Sequence, residues 1–184
     1  MFRADGIAIP HHRQYLPVAG NLQSQNFTMT QKDNSVKILF RYYSNVLEEE
    51  TVETMWATVV DKDKGFYKLD NIPFYGPLVA SDDIVFAEYD ETNQMLVYRR
   101  TVEHSGNSII QVVLIDKSKN LDDIRKIFED QDCISEKVND GYFAMEVLFD
   151  KDYKPIKQTL TELEEKGIIG YAEPCLSEKH GFKG

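Results

Sequence analysis

The sequence predicts an α+β protein: a small antiparallel β-barrel-like half followed by a ferredoxin-like βαββαβ half. Three observations predict it. Residues 36–98 hold β-branched and aromatic runs at close spacing, divided by turn clusters that leave no room for a helix. Residues 108–172 read strand, helix, strand, strand, helix, strand, the split βαβ order that puts both helices on one face of an antiparallel sheet. Between these regions, Ser105-Gly106-Asn107 has the composition of a linker. The expected organisation is a flexible N-terminal tail over 1–34, a barrel-like domain over 35–106, a ferredoxin-like domain over 107–178 and a short tail over 179–184.

Residues 1–34 carry Gly6, Pro10, Pro17, Gly20 and a polar run from Asn21 to Asn26, with neither helical nor strand periodicity. From Val36 the character changes. Val36, Ile38 and Phe40 alternate with Lys37 and Arg41 as a half-buried strand does. Val52 to Val60 follows as a second strand, and Asp61-Lys62-Asp63-Lys64-Gly65 turns it back into Phe66-Tyr67-Lys68-Leu69. Ile84–Tyr89 and Met95–Tyr98 complete five short strands, for which closure is the simplest way to remove exposed edges. Within 70–77, Pro73 and Pro77 stiffen the chain, and the large Phe74 and Tyr75 must either plug the barrel mouth or face a ligand.

In the second half, Ile109–Ile115 is apolar on both faces, as a central strand covered by helices would be. Asn120 caps a helix with Asp122 and Asp123 in its first turn and Leu121, Ile124, Ile127 and Phe128 on one face. Ile134–Val138 and Tyr142–Phe149 form a hairpin across Asn139-Asp140-Gly141. Asp152 caps a second helix, Ile156, Leu160 and Leu163 line it, and Gly167 stops it ahead of a last strand over 168–172.

The 184 residues carry a net charge of -10, spread over both halves, which opposes binding to nucleic acid or to anionic membranes. No run approaches the ~18 apolar residues of a membrane span. The two cysteines, Cys133 and Cys175, have no metal-ligand spacing and read as inert thiols, and His11-His12 lies in the tail. The chain therefore reads as cytoplasmic, with no metal and no cofactor.

No phosphate-cradling glycine motif is present. An enzyme would need Glu53, Asp70 and His104 to converge near Trp56, which itself reads most simply as core. A ligand-sensing module would place an anion at the junction of the halves, near Arg99, Arg100, Trp56 and His104. A protein-binding surface would draw on Glu48, Glu49 and Glu50, read as an exposed loop, with Asp82, Asp83, Phe74 and Tyr75.

Glu53-Thr54-Met55-Trp56-Ala57, Asp70-Asn71-Ile72-Pro73-Phe74, Ser81-Asp82-Asp83 and Ser105-Gly106 together resemble an uncharacterised bacterial family, a domain of unknown function, over roughly residues 36–176. Relatives resemble this chain in the Glu-x-x-Trp-Ala and Asp-Asn-Ile-Pro-Phe signatures and carry Gly-Asp where it has Ser81-Asp82-Asp83. By class alone, a small acidic protein without a catalytic constellation also resembles the immunity proteins that neutralise bacterial toxins. The expected function is therefore non-catalytic: an immunity protein that inhibits a basic toxin domain by direct binding. The alternative is a small-molecule-sensing regulatory module.

Overall fold

The computed structural model describes residues 34–44, 49–76 and 78–181. Almost all of the expected tail, with His11-His12, lies outside the described residues, as do Glu48 and residues 182–184. The described chain is a mixed α+β structure of nine strands and two helices.

Strands β1 (Ser35–Ser44), β2 (Glu49–Asp61), β3 (Phe66–Leu69), β4 (Ile84–Asp90) and β5 (Met95–Glu103) pair in sequence order. The ring closes through a short parallel contact, Ile38 with Leu96 and Leu39 with Val97, so the five strands form a barrel. The alternation read at Val36, Ile38 and Phe40 points those side chains inward, where Ile38 and Phe40 meet Met55, Ala57, Leu69, Val85 and Ala87 in a closed apolar core.

Two expectations change here. Glu49 and Glu50 are not in a loop but begin β2, opposite Ser44 and Tyr43; cross-strand pairing along the hairpin overrides glutamate's low strand preference. Trp56 is not core. It points outward, half exposed, with the Lys37 ammonium 4.6 Å from its ring centre.

The second half runs β6 (Ser108–Leu114), α1 (Leu121–Glu129), β7 (Ile134–Asn139), β8 (Tyr142–Val147), α2 (Tyr153–Glu165) and β9 (Ile169–Cys175). Its sheet is antiparallel in the order β7-β8-β6-β9. Asn120 Oδ1 accepts the Asp122 N–H at 2.8 Å, and Asp152 Oδ1 accepts that of Lys154 at 3.1 Å, so both expected caps are made. Gly167 ends α2 at φ +67°, with its N–H on the Glu164 carbonyl and that of Ile168 on Leu163, the two bonds of a Schellman stop. Ile127, placed on the buried face by periodicity, is 37% exposed at that face's margin.

Both helices pack on one face of this sheet, with Leu121, Ile124, Phe128, Ile156, Leu160 and Leu163 against Ile110, Val112, Phe143 and Met145. The apolar second face of β6 is covered not by a helix but by the segment joining β3 to β4. Ile72 and Ala80 pack on Ile109 and Ala144, with Phe74 and Cys175 beside them. The linker is no solvated loop either. Asn107 is buried and its Oδ1 accepts the Phe149 N–H at 2.9 Å. Nor does the fold end at 178, because His180 is buried, its Nδ1 2.8 Å from Ser108 Oγ.

Gly106 sits at φ +85°, and a Cβ there would lie 2.8 Å from Phe149 Cδ2. Gly106→Ala is expected to cost about 2–3 kcal/mol, from left-handed strain plus a clash. Gly167→Ala, at φ +67° with nothing within 4 Å of the new methyl, should cost about 1 kcal/mol. Urea denaturation of the two variants checks the difference.

Candidate functional site

Of the residues singled out by sequence, Glu53, Trp56, Asp70, Phe74, Tyr75, Asp82 and Asp83 lie on or against the β3–β4 segment, which is sewn to the barrel by groups of β2. Glu53, on the inward side of β2, accepts three consecutive backbone N–H groups. Its Oε1 takes Phe74 at 2.7 Å, and its Oε2 takes Tyr75 at 3.0 Å and Gly76 at 2.9 Å. Successive N–H groups converging on one carboxylate form an anion-holding nest. Three strand positions on, the Trp56 N–H donates to Asn71 Oδ1 at 2.8 Å, the Asp70 N–H donates to the Trp56 carbonyl at 2.9 Å, and Thr58 Oγ1 donates to Asp70 Oδ2 at 2.8 Å. The two signatures read from the sequence thus bond directly to each other in this chain.

On its other side the segment is tied to the sheet. Gln111 Nε2 donates to the Phe74 carbonyl at 2.9 Å, the Tyr142 hydroxyl donates to the same oxygen, and the Tyr75 ring stacks on that of Tyr142 with centres 5.7 Å apart. Phe74 is half-buried in this layer, whereas Tyr75 keeps 40% of its surface exposed. Burial raises the Tyr75 and Tyr142 phenols above their usual pKa, with the Glu53 charge adding to it.

Asp83 was a candidate contact residue, but it is 1% exposed and fully engaged. Its Oδ2 accepts the Ala80 N–H at 3.1 Å, and its Oδ1 accepts both the N–H (2.7 Å) and the hydroxyl (2.9 Å) of Ser105. A carboxylate so buried and enclosed meets no macromolecular partner. Asp82 beside it is exposed, at φ +62°, and pairs with Lys68 at 3.0 Å.

His104 is largely exposed and lies 3.4 Å from Asp83 Oδ2. The structure therefore draws Glu53, Asp70 and His104 to three different sets of partners, and no hydrogen bond or ion pair among the described residues joins them. Arg99 and Arg100 lie within β5 rather than at a strand end: Arg99 Nε reaches Glu88 at 3.0 Å across the ladder, and the Arg100 guanidinium sits over Phe86. Among the described residues neither arginine makes a hydrogen bond or ion pair with Trp56 or His104, and Ile72, Ala80, Ile109 and Ala144 pack between the halves.

Sequence reasoning missed Glu146. This carboxylate is 3% exposed, accepts Ser81 Oγ at 2.5 Å and lies 3.4 Å from Asn107 Nδ2. Alternation along β8 was the only available signal, since Glu146 is a lone charge in an apolar strand. Burial pushes its pKa up and Asp82 adds to this, while the Ser81 and Asn107 hydrogen bonds oppose it. The folded state therefore favours the protonated acid. This contribution to stability is full below the ordinary carboxylate pKa and is lost as pH rises through the elevated folded value. Glu146→Gln keeps the acceptor oxygen without the charge, so it is expected to be about 1 kcal/mol more stable than the wild type at pH 7, with the gain vanishing near pH 4. Thermal melts at the two pH values read this.

Comparison with known proteins places this architecture. A family model, Domain of unknown function (DUF4265), matches residues 53–171. The chain belongs to this family. The match runs from within β2 into β9, so the DUF4265 region takes in residues of both halves and the whole connecting segment. A crystal structure titled as that of a hypothetical protein from Neisseria gonorrhoeae is similar in fold, with a TM-score of 0.69 and 24% identity over 80% of this chain and 99% of that one. No curated protein matches.

Proposed function

We propose that this DUF4265 protein is a non-catalytic binding module, an immunity-type inhibitor that seats a basic toxin or effector domain on the outer face of the β1–β2 hairpin. The observation that carries the reading is what that face leaves exposed. Tyr43 and Glu50, Arg41 and Val52, and Lys37 and Trp56 are direct cross-strand pairs on it, and Tyr43, Val52 and Trp56 are each at least half exposed. Aromatic anchors beside carboxylates suit a partner with basic and apolar groups, and the net charge of -10 speeds its approach. Glu49 and Glu50 stay exposed at the hairpin's end. Phe74, held through its carbonyl by Gln111 and Tyr142, positions Tyr75, whereas Asp83 is engaged inside by Ala80 and Ser105. The order β7-β8-β6-β9, with both helices on one face, supports a ferredoxin-like second half as the rigid base of this surface.

The reading is tested by co-expression with the product of a toxin-like gene encoded beside it. A one-to-one complex and restored growth are expected, and absence of any complex sinks the idea. Trp56, the single tryptophan, is half exposed, so its emission should shift to the blue on complex formation. Glu49→Lys with Glu50→Lys should slow association about tenfold at low salt, and far less at 0.5 M salt.

A further inference from the structure

We propose that two copies of this chain pair edge to edge through β9, joining their four-stranded sheets into one continuous antiparallel sheet. The surface lies apart from the outer face of the β1–β2 hairpin, and the inference does not rest on the binding function proposed there. β7 and β9 are the outer strands of the sheet, and their edges differ. β7 carries Glu136 and Lys137, breaks its register at Val138, and has its Ser135 carbonyl taken by Arg125 Nη2 at 3.0 Å, all of which keep a strand edge from pairing. β9 is guarded only at its end. There the register shifts beyond Ala172, and the Pro174 carbonyl accepts the Leu78 N–H at 3.1 Å. Residues 168–172, Ile-Ile-Gly-Tyr-Ala, carry no charge, and the Lys157 ammonium over the Tyr171 ring is paired with Glu173 at 2.8 Å.

Ladder parity shows which groups are open. The Ile115 N–H donates to the Ile168 carbonyl and the Leu114 N–H to that of Gly141, so Ile168, Gly170 and Ala172 direct their backbone groups at β6, while Ile169 and Tyr171 direct theirs away from it. Among the described residues no hydrogen bond is made to those outward groups. A second copy supplies the matching set. With Gly170 opposite Gly170 across a two-fold axis, Ile169 of each copy lies opposite Tyr171 of the other, and their N–H and C=O groups answer one another in both directions. Ile169 and Tyr171 both pack on the helix-covered core, so each apolar pair extends that core across the axis. The axial pair is of the closely spaced kind, roughly 4.5 Å between Cα atoms, and glycine brings no Cβ to it. This self-complementarity selects a second copy over a foreign strand.

Amide exchange by NMR on the full chain, followed against concentration, reads the pairing directly. The Gly170 and Ala172 amides face β6 in either state and should stay protected on dilution. Those of Ile169 and Tyr171 should be protected at about 0.5 mM and lose about tenfold in protection at about 20 µM, in step with a fall from twice the chain mass to one in sedimentation equilibrium. Ala172→Lys, at an exposed position, sets a charge in the edge and should raise the dissociation constant of the dimer about tenfold without moving the melting temperature of the dilute chain. Glu49→Lys with Glu50→Lys should leave that constant unchanged, which separates this interface from the hairpin surface. A single chain mass at about 0.5 mM, a dimer in which the Ile169 and Tyr171 amides exchange freely, or a dimer indifferent to Ala172→Lys overturns the proposal.

Discussion

Glu53→Ala is expected to lower stability by about 4 kcal/mol, because three N–H groups of one turn lose their shared charged acceptor at once. Water can reach the Tyr75 N–H, at an exposed residue, more readily than the others, which keeps the loss below three full desolvation penalties. Glu53→Gln retains one oxygen but sets an amide against a backbone donor, so about half the loss should remain. Glu53→Asp is a methylene short of the nest and should behave like alanine. Urea midpoints give the magnitudes, and hydrogen exchange locates them. The amides of Phe74, Tyr75 and Gly76 should lose protection before those of the β6–β8 ladder. Uniform loss of protection would show that Glu53 supports the whole fold rather than this turn.

Asp83→Ala should cost a similar amount, about 4 kcal/mol, since it strips partners from Ala80 and from both donors of Ser105 inside the protein. His104→Ala should change stability by less than about 0.5 kcal/mol, because the imidazole is mostly in water and its contact with Asp83 is long. The contrast decides whether the Asp83–His104 pair is a fold element or something more. If His104→Ala proved as damaging as Asp83→Ala, the imidazole would be doing more than its exposure allows. Thermal melts of the two single variants and the double variant supply the comparison.

Much of the fold was legible because its signals are local. The alternation at Val36, Ile38 and Phe40, the caps at Asn120 and Asp152 and the stop at Gly167 each act within a few residues, and each was read correctly. The errors came where strand parity was ambiguous or where a partner lay far off in sequence. Along 52–60 both parities carry apolar residues, and size alone put Trp56 inside, although the inward position beside it is filled by Ala57. Asp83 looked like a surface acid because its acceptor role depends on Ser105, 22 residues on. Glu53 was noticed as part of a signature, yet nothing in its neighbourhood discloses a turn 21 residues away. Glu146 and His180 are buried by contacts spanning 65 and 72 residues, beyond any periodicity.

That long reach governs how the chain is made. The underside of the β3–β4 segment is completed only by β6 and β8, and Ser81 waits for Glu146, 65 residues later. At ordinary rates of synthesis this is a delay of roughly 3–13 s during which Ile72 and Ala80 have no cover. A barrel formed in that interval would expose an apolar underside that only residues of β6 and β8 can cover.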